Sequence, residues 1–105
     1  MSAQLKHWKA IAASNPGQLI RELSYGNLPS WELSFAAEAA GAVPAAREAL
    51  LGLLGHHSPT VREGAIYGLS RQIDDDPKIR ELLVMLARAD RSGSVREAAT
   101  EALSP

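Results

Sequence analysis

The residues best suited to chemistry in this sequence are the adjacent pair His56-His57, the run Asp74-Asp75-Asp76 and a crowd of arginines in the second half. Two neighbouring imidazoles in a turn supply at most two metal ligands, and no carboxylate or thiolate stands at a companion spacing, so the pair reads as turn histidines. A proton shuttle there would need a partner group and a pocket, and the sequence shows neither. A calcium loop spreads its ligands over about 12 residues with a Gly turn and a terminal Glu. Three aspartates running into Pro77 read instead as a helix cap and solvated turn. Arg62, Arg71, Arg80, Arg88, Arg91 and Arg96 could contact phosphates, but Glu63, Glu81, Asp90 and Glu97 interleave with them. From position 56 onward 7 basic residues stand against 8 acidic ones, so surface pairs and turn tethers account for them. With no Cys, disulfide and thiolate chemistry are excluded. No metal, cofactor or catalytic residue is expected.

The elements that must position these groups come from a chain of 105 residues with net charge -1, which makes one small domain without a global field for nucleic acid or an anionic membrane. Its 18 Ala and 14 Leu outnumber 11 Val, Ile and Thr, which favours helix over strand. The longest apolar runs, such as Leu50-Leu51-Gly52-Leu53-Leu54, fall far short of the roughly 18–20 residues a membrane span requires. The N-terminal stretch has no apolar core of the signal-peptide kind, so the expected compartment is the cytoplasm.

Pro, Gly, Asn and Asp punctuate the chain into seven helix-length pieces. The first, over 3–14, carries Leu5, Trp8, Ile11 and Ala12 on one stripe and is expected to cap a stack, with Trp8 covering its end. Helix pairs are expected over 17–42, 44–73 and 77–104. Pro44, Ser58-Pro59 and Pro77 open helices because a first-turn Pro gives up no helical hydrogen bond. Ser94-Val95-Arg96-Glu97 has capping-box spacing and predicts the start of the seventh helix.

Overlaying the pieces exposes a repeat. Val61-Arg62-Glu63-Gly64-Ala65 and Val95-Arg96-Glu97-Ala98-Ala99 coincide at a separation of 34 residues, and Leu69 falls on Leu103. A weaker copy, Leu33-Ser34-Phe35-Ala36-Ala37, lies 28 residues before Val61; aligning Trp31 on Val61 is the alternative register. The Leu33 register puts small residues at 36, 37 and 40, where 64, 65, 68 and 98, 99, 102 are also small. Small residues at these places let helices approach closely enough to bury a continuous ridge.

The array resembles HEAT repeats, especially the short subtype named after phycobilisome lyases, whose unit is a leucine-rich helix, a turn with Asp and Pro, then Val-Arg-x-x-Ala-x-x-x-Leu. The resemblance spans residues 17–103 and is weakest from Leu19 to Gly41. It implies an all-α fold, an α-solenoid of three antiparallel helix pairs with an N-terminal capping helix. It also implies a tether between the turn Asp and the Arg after the Val, for which Asp90 and Arg96 match. His56 and Leu28 stand where the other units would have that Asp, so a ladder of such pairs is expected to be broken. Some HEAT-like proteins are iron-dependent hydroxylases with His-Glu pairs, and no such dipeptide occurs here.

In such an array the second helix of each pair lines the concave face. Counting round from Val61, Ala65 and Leu69 predicts an outward list: Phe35, Glu38 and Ala39; Glu63, Ile66, Tyr67 and Ser70; Glu97, Thr100 and Glu101. This face is acidic with aromatic anchors, the wrong sign for the duplex-holding groove of HEAT-like DNA glycosylases. It points to a non-catalytic protein-interaction module that holds a basic protein or peptide segment through Phe35, Glu63, Tyr67, Glu97 and Glu101. The alternatives are a bilin-lyase-like accessory protein and a small inhibitor or immunity-type protein blocking a basic site. The far end of the stack has two expected solutions: a polar outer side made by Arg96, Thr100 and Glu101, or end-to-end self-association into a homo-oligomer.

Overall fold

A computed structural model describes residues 2–105. Among these residues the chain forms seven α-helices and no strand: α1 (Ala3–Ser14), α2 (Pro16–Tyr25), α3 (Ser30–Ala39), α4 (Arg47–Leu53), α5 (Pro59–Ser70), α6 (Pro77–Ala89) and α7 (Gly93–Leu103). Two short 3-10 turns, Ala40–Ala42 and Pro44–Ala46, lead from α3 into α4.

Local chemistry sets the starts. The side chains of Ser2, Asn15, Ser58, Asp76 and Ser92 each accept a hydrogen bond from an N–H of the following first turn, and Pro occupies that turn in α2, α5 and α6. The seventh helix therefore begins two residues earlier than its capping-box spacing predicts. Ser92 Oγ accepts from Val95 N–H at 3.5 Å, as Ser58 Oγ accepts from Val61 N–H at 3.4 Å. Ser92 is Ser58 moved on by the 34-residue repeat, and Ser94 sits inside the helix.

α3, α5 and α7 pack side by side, with α2, α4 and α6 outside them, and α1 lies over α3. This is an all-α solenoid of stacked helix pairs. Three pairs make a short stack, 35 × 27 × 26 Å, with the core running through its length. Leu19, Leu50, Val61, Ile66, Leu69, Ile79, Leu83 and Val95 are its largest fully buried side chains. Trp8 of α1 is buried at the N-terminal end, and its indole N–H is buried with no acceptor.

Burial follows the Leu33 register. Leu33, Ala36, Ala37 and Ala40 are buried as Val61, Gly64, Ala65 and Gly68 are, whereas Trp31 is 53% exposed. The closest helix contact lies between α3 and α5. A Cβ on Gly64 would collide with the Ser34 carbonyl oxygen, and one on Gly68 with the Ala37 carbonyl oxygen. No described glycine has a positive φ, so Gly64 and Gly68 are there for space and not for backbone freedom. Ala98 and Ala102 hold the equivalent places in α7.

Candidate functional site

The inner row of helices presents the face on which the outward list was placed. α5 lies between α3 and α7, so its exposed strip is narrow. Tyr67 is 39% exposed on it, with Glu63 one turn before half-buried. α3 contributes half-buried Glu38, and α7 contributes exposed Glu97, Thr100 and Glu101. Glu63 Oε2 accepts from Ser94 Oγ at 3.2 Å, which ties the carboxylate of α5 to the first turn of α7.

These carboxylates lie close enough to act on one phenol by charge. Partial burial raises the Tyr67 pKa above its ordinary value, and the negative charges of Glu63, Glu101, Glu38 and Glu97 raise it further. Side chains from three successive pairs thus act on one aromatic ring. Lys9 and Arg71 join Glu38, Tyr67 and Ser70 around a shallow depression of ≈ 430 Å³ toward the α1 side. The negative potential is therefore concentrated toward α7.

Three residues of the outward list lie deeper than the count predicts. Ile66 and Ala39 are fully buried, because a helix flanked on two sides loses its shoulders as well as its inner stripe. Ala39 also borders the depression lined by Ala12 and Ala13 of α1. Phe35 is half-buried and packs against the core, so it offers an edge and not a whole ring.

The turns opposite the two ends of the inner helices are held by polar ties. Arg62 is buried, and its Nε and Nη2 donate to Asp90 Oδ2 and Oδ1 at 3.0 and 2.9 Å. Its Nη1 donates to the carbonyls of His56 and His57 at 2.8 and 3.2 Å. The partner of Asp90 is thus the arginine of the preceding unit. Arg96, the partner expected from the resemblance, donates through Nη1 to the backbone carbonyl of Asp90 at 2.7 Å, repeating what Arg62 does six residues back. The carboxylate reaches across units because that is where a buried guanidinium needs a counter-charge.

At the other end Gln72 is buried. Its Nε2 donates to the carbonyls of Gly41 and Val43 at 3.1 and 3.3 Å, and its Oε1 accepts from Arg47 Nε at 2.9 Å. Arg47 continues to Asp75 at 3.4 Å. Sequence reasoning missed this tie: Gln72 lies outside the repeated motif, and the carbonyls it satisfies belong to a 3-10 turn and to the extended residue after it, which have no signature of their own.

His56 Nδ1 accepts from Ser58 N–H at 3.0 Å, and its ring stacks on His57. Burial, then the neighbouring His57 and Arg62, lowers the His56 pKa and so favours the neutral ring that can accept. Asp76 caps α6 through Lys78 N–H, while exposed Asp74 lies 3.8 Å from Arg80. No group of three or more His, Cys, Asp or Glu residues among the described residues is arranged to hold a metal ion. No helix of the described residues is long and apolar enough to cross a membrane.

Stacked pairs, small residues at the closest helix approach and a repeated Arg tether define a helical-repeat protein. The family model for HEAT repeats matches residues 31–104, and the chain belongs to that family. No curated protein and no solved structure matches it. The match is to HEAT repeats as such. HEAT repeats generally mediate protein–protein interaction and are typically non-catalytic scaffolds.

Proposed function

We propose that this chain is a non-catalytic, cytoplasmic interaction module whose inner face holds a basic segment of a partner protein. The observation that carries the reading is the convergence of Glu38, Glu63, Glu97 and Glu101, from three different helices, on the exposed Tyr67. A rigid stack presents these groups without reorganisation, so a Lys- or Arg-containing segment gains charge complementarity along its length and a cation–π contact on the phenol. Tyr67 is the anchor, the edge of Phe35 lies one pair away, and the carboxylates set orientation and association rate.

On α7, the last helix of the stack, Arg96, Thr100 and Glu101 are all exposed. Thr100 stands where the interior unit has buried Ile66, which supports a polar end over end-to-end self-association. Calorimetric titration of the chain with Lys/Arg-rich peptides tests the reading. Binding that weakens steeply with salt and disappears when Glu63, Glu97 and Glu101 are all changed to Gln is the expected result. Binding unchanged in the triple variant overturns it.

A further inference from the structure

The outer row of helices leaves a second surface of opposite character. α4 has 7 residues and α6 has 13, and the two neighbours approach little through their backbones. Leu51 and Leu54 of the α4 side face Leu82 and Leu86 of α6 across an apolar depression of ≈ 250 Å³. An adjoining depression of ≈ 340 Å³ shares Leu54, Leu86 and Met85 and ends at Arg91. Met85 lines both and is 63% exposed, an unbranched thioether that reshapes to fit what covers it. Together they make a groove along α6, a helix about 20 Å long.

The charge at its Arg91 end is specific. The carboxylate there, Asp90, is taken up by Arg62 Nε and Nη2. Arg91 is exposed and forms no ion pair among the described residues, and the neighbouring His56 is held toward its neutral form. The groove therefore combines an aliphatic floor with one exposed guanidinium at one end, close enough to Asp90 to act on it by charge but bonded to no carboxylate among the described residues.

We propose that this outer groove docks an amphipathic helix of a partner protein, about three turns long, whose aliphatic stripe covers Leu51, Leu82 and Met85 and whose Asp or Glu, just past the stripe, meets Arg91. An acidic partner helix on the outside and a basic segment on the inside make the stack a two-sided adaptor. The outer site stands on different residues from the inner one and does not depend on it.

The test is a display library of three-turn helical peptides selected against the full chain. The expected winners carry aliphatic residues at i, i+3 or i+4, and i+7, with an acidic residue beyond the last. Their affinity falls about tenfold or more on Met85→Glu and on Arg91→Glu. Changing the peptide's acidic residue to Lys restores binding to the Arg91→Glu variant. Both substituted residues are exposed, and unchanged far-UV circular dichroism confirms that the variants fold. Three results overturn the proposal: no sequence enriches, winners bind both variants as tightly as the parent, or winners are basic and lose binding on Glu63→Gln instead.

Discussion

Arg62 and Asp90, 28 residues apart in the chain, meet side-on through two hydrogen bonds with both side chains only 6% exposed. Arg62 also ties down the turn that precedes its own helix, so one guanidinium fixes three segments: the 56–58 turn, α5 and the turn into α7. Removing either partner leaves an uncompensated buried charge. Arg62→Ala and Asp90→Ala should each cost about 3–5 kcal/mol in chemical denaturation, and Arg62→Lys should recover only part because an ammonium cannot make the paired contact.

The same pair sets the acid limit. Burial alone would raise the Asp90 pKa, but the hydrogen bonds from Arg62 and from Ser92 N–H, with the Arg62 charge, outweigh it and hold the carboxyl below the usual carboxylate range. A carboxyl lowered on folding stabilises fully above its unfolded pKa, and the contribution is lost as pH falls through the folded value. Stability should therefore fall below about pH 4, and Asp90→Asn, less stable at neutral pH, should show a flatter acid limb. An acid limb as steep as the parent's would remove Asp90 from this role.

The glycines separate two effects of one substitution. Gly64→Ala or Gly68→Ala drives a methyl into a backbone carbonyl of α3 and should destabilise by about 1–3 kcal/mol or more. Gly52, exposed on α4 with open space around it, should respond oppositely, gaining about 0.5–1 kcal/mol as Ala from helix preference alone. Thermal melts of the three variants decide it.

Tyr67 reports on the inner face directly. In a Tyr25→Phe background the remaining phenol should titrate above its ordinary value, and Glu63→Gln with Glu101→Gln should bring it down. Phenolate absorbance against pH is the measurement. A titration that the two substitutions leave in place would mean that the carboxylates do not act on the ring.

Trp8 carries an orphaned donor. Trp8→Phe gives up some packing area but removes a buried unpaired N–H whose desolvation costs about 1–3 kcal/mol, so the change should be near neutral. Trp8→Ala should lose about 3–5 kcal/mol. A large loss in the Phe variant would show that the indole nitrogen has a partner.

The fold was legible because repetition multiplies weak signals. Val-Arg-Glu-small-Ala occurs twice at a fixed spacing, and the alanine-rich copy in α3 obeys the same burial. What repetition carried less well were the positions where neighbours differ. Counting from Val61 placed Tyr67, Glu97 and Glu101 outside but put Ile66 there as well, since periodicity on one helix does not know that α7 lies against its shoulder. Asp90 was paired within its own unit because spacing along a chain shows no contact between units. Ser92, by contrast, was available all along: shifting Ser58 by the repeat finds it, whereas the capping-box pattern at Ser94 competes with that inference. Gln72 and the Met85 groove carried no pattern, since each depends on backbone or side chains brought together only by stacking.

The contact of α3 with α5 has a directional consequence. At Gly64 and Gly68 the two main chains already touch, so no substitution at these two positions can thin that layer further. Bulkier residues there only wedge it open, whereas the equivalent positions of α7, Ala98 and Ala102, keep methyls that glycine could remove. Change in this molecule can therefore splay its first joint or tighten its second, and the bend of the rod is free to drift one way at each.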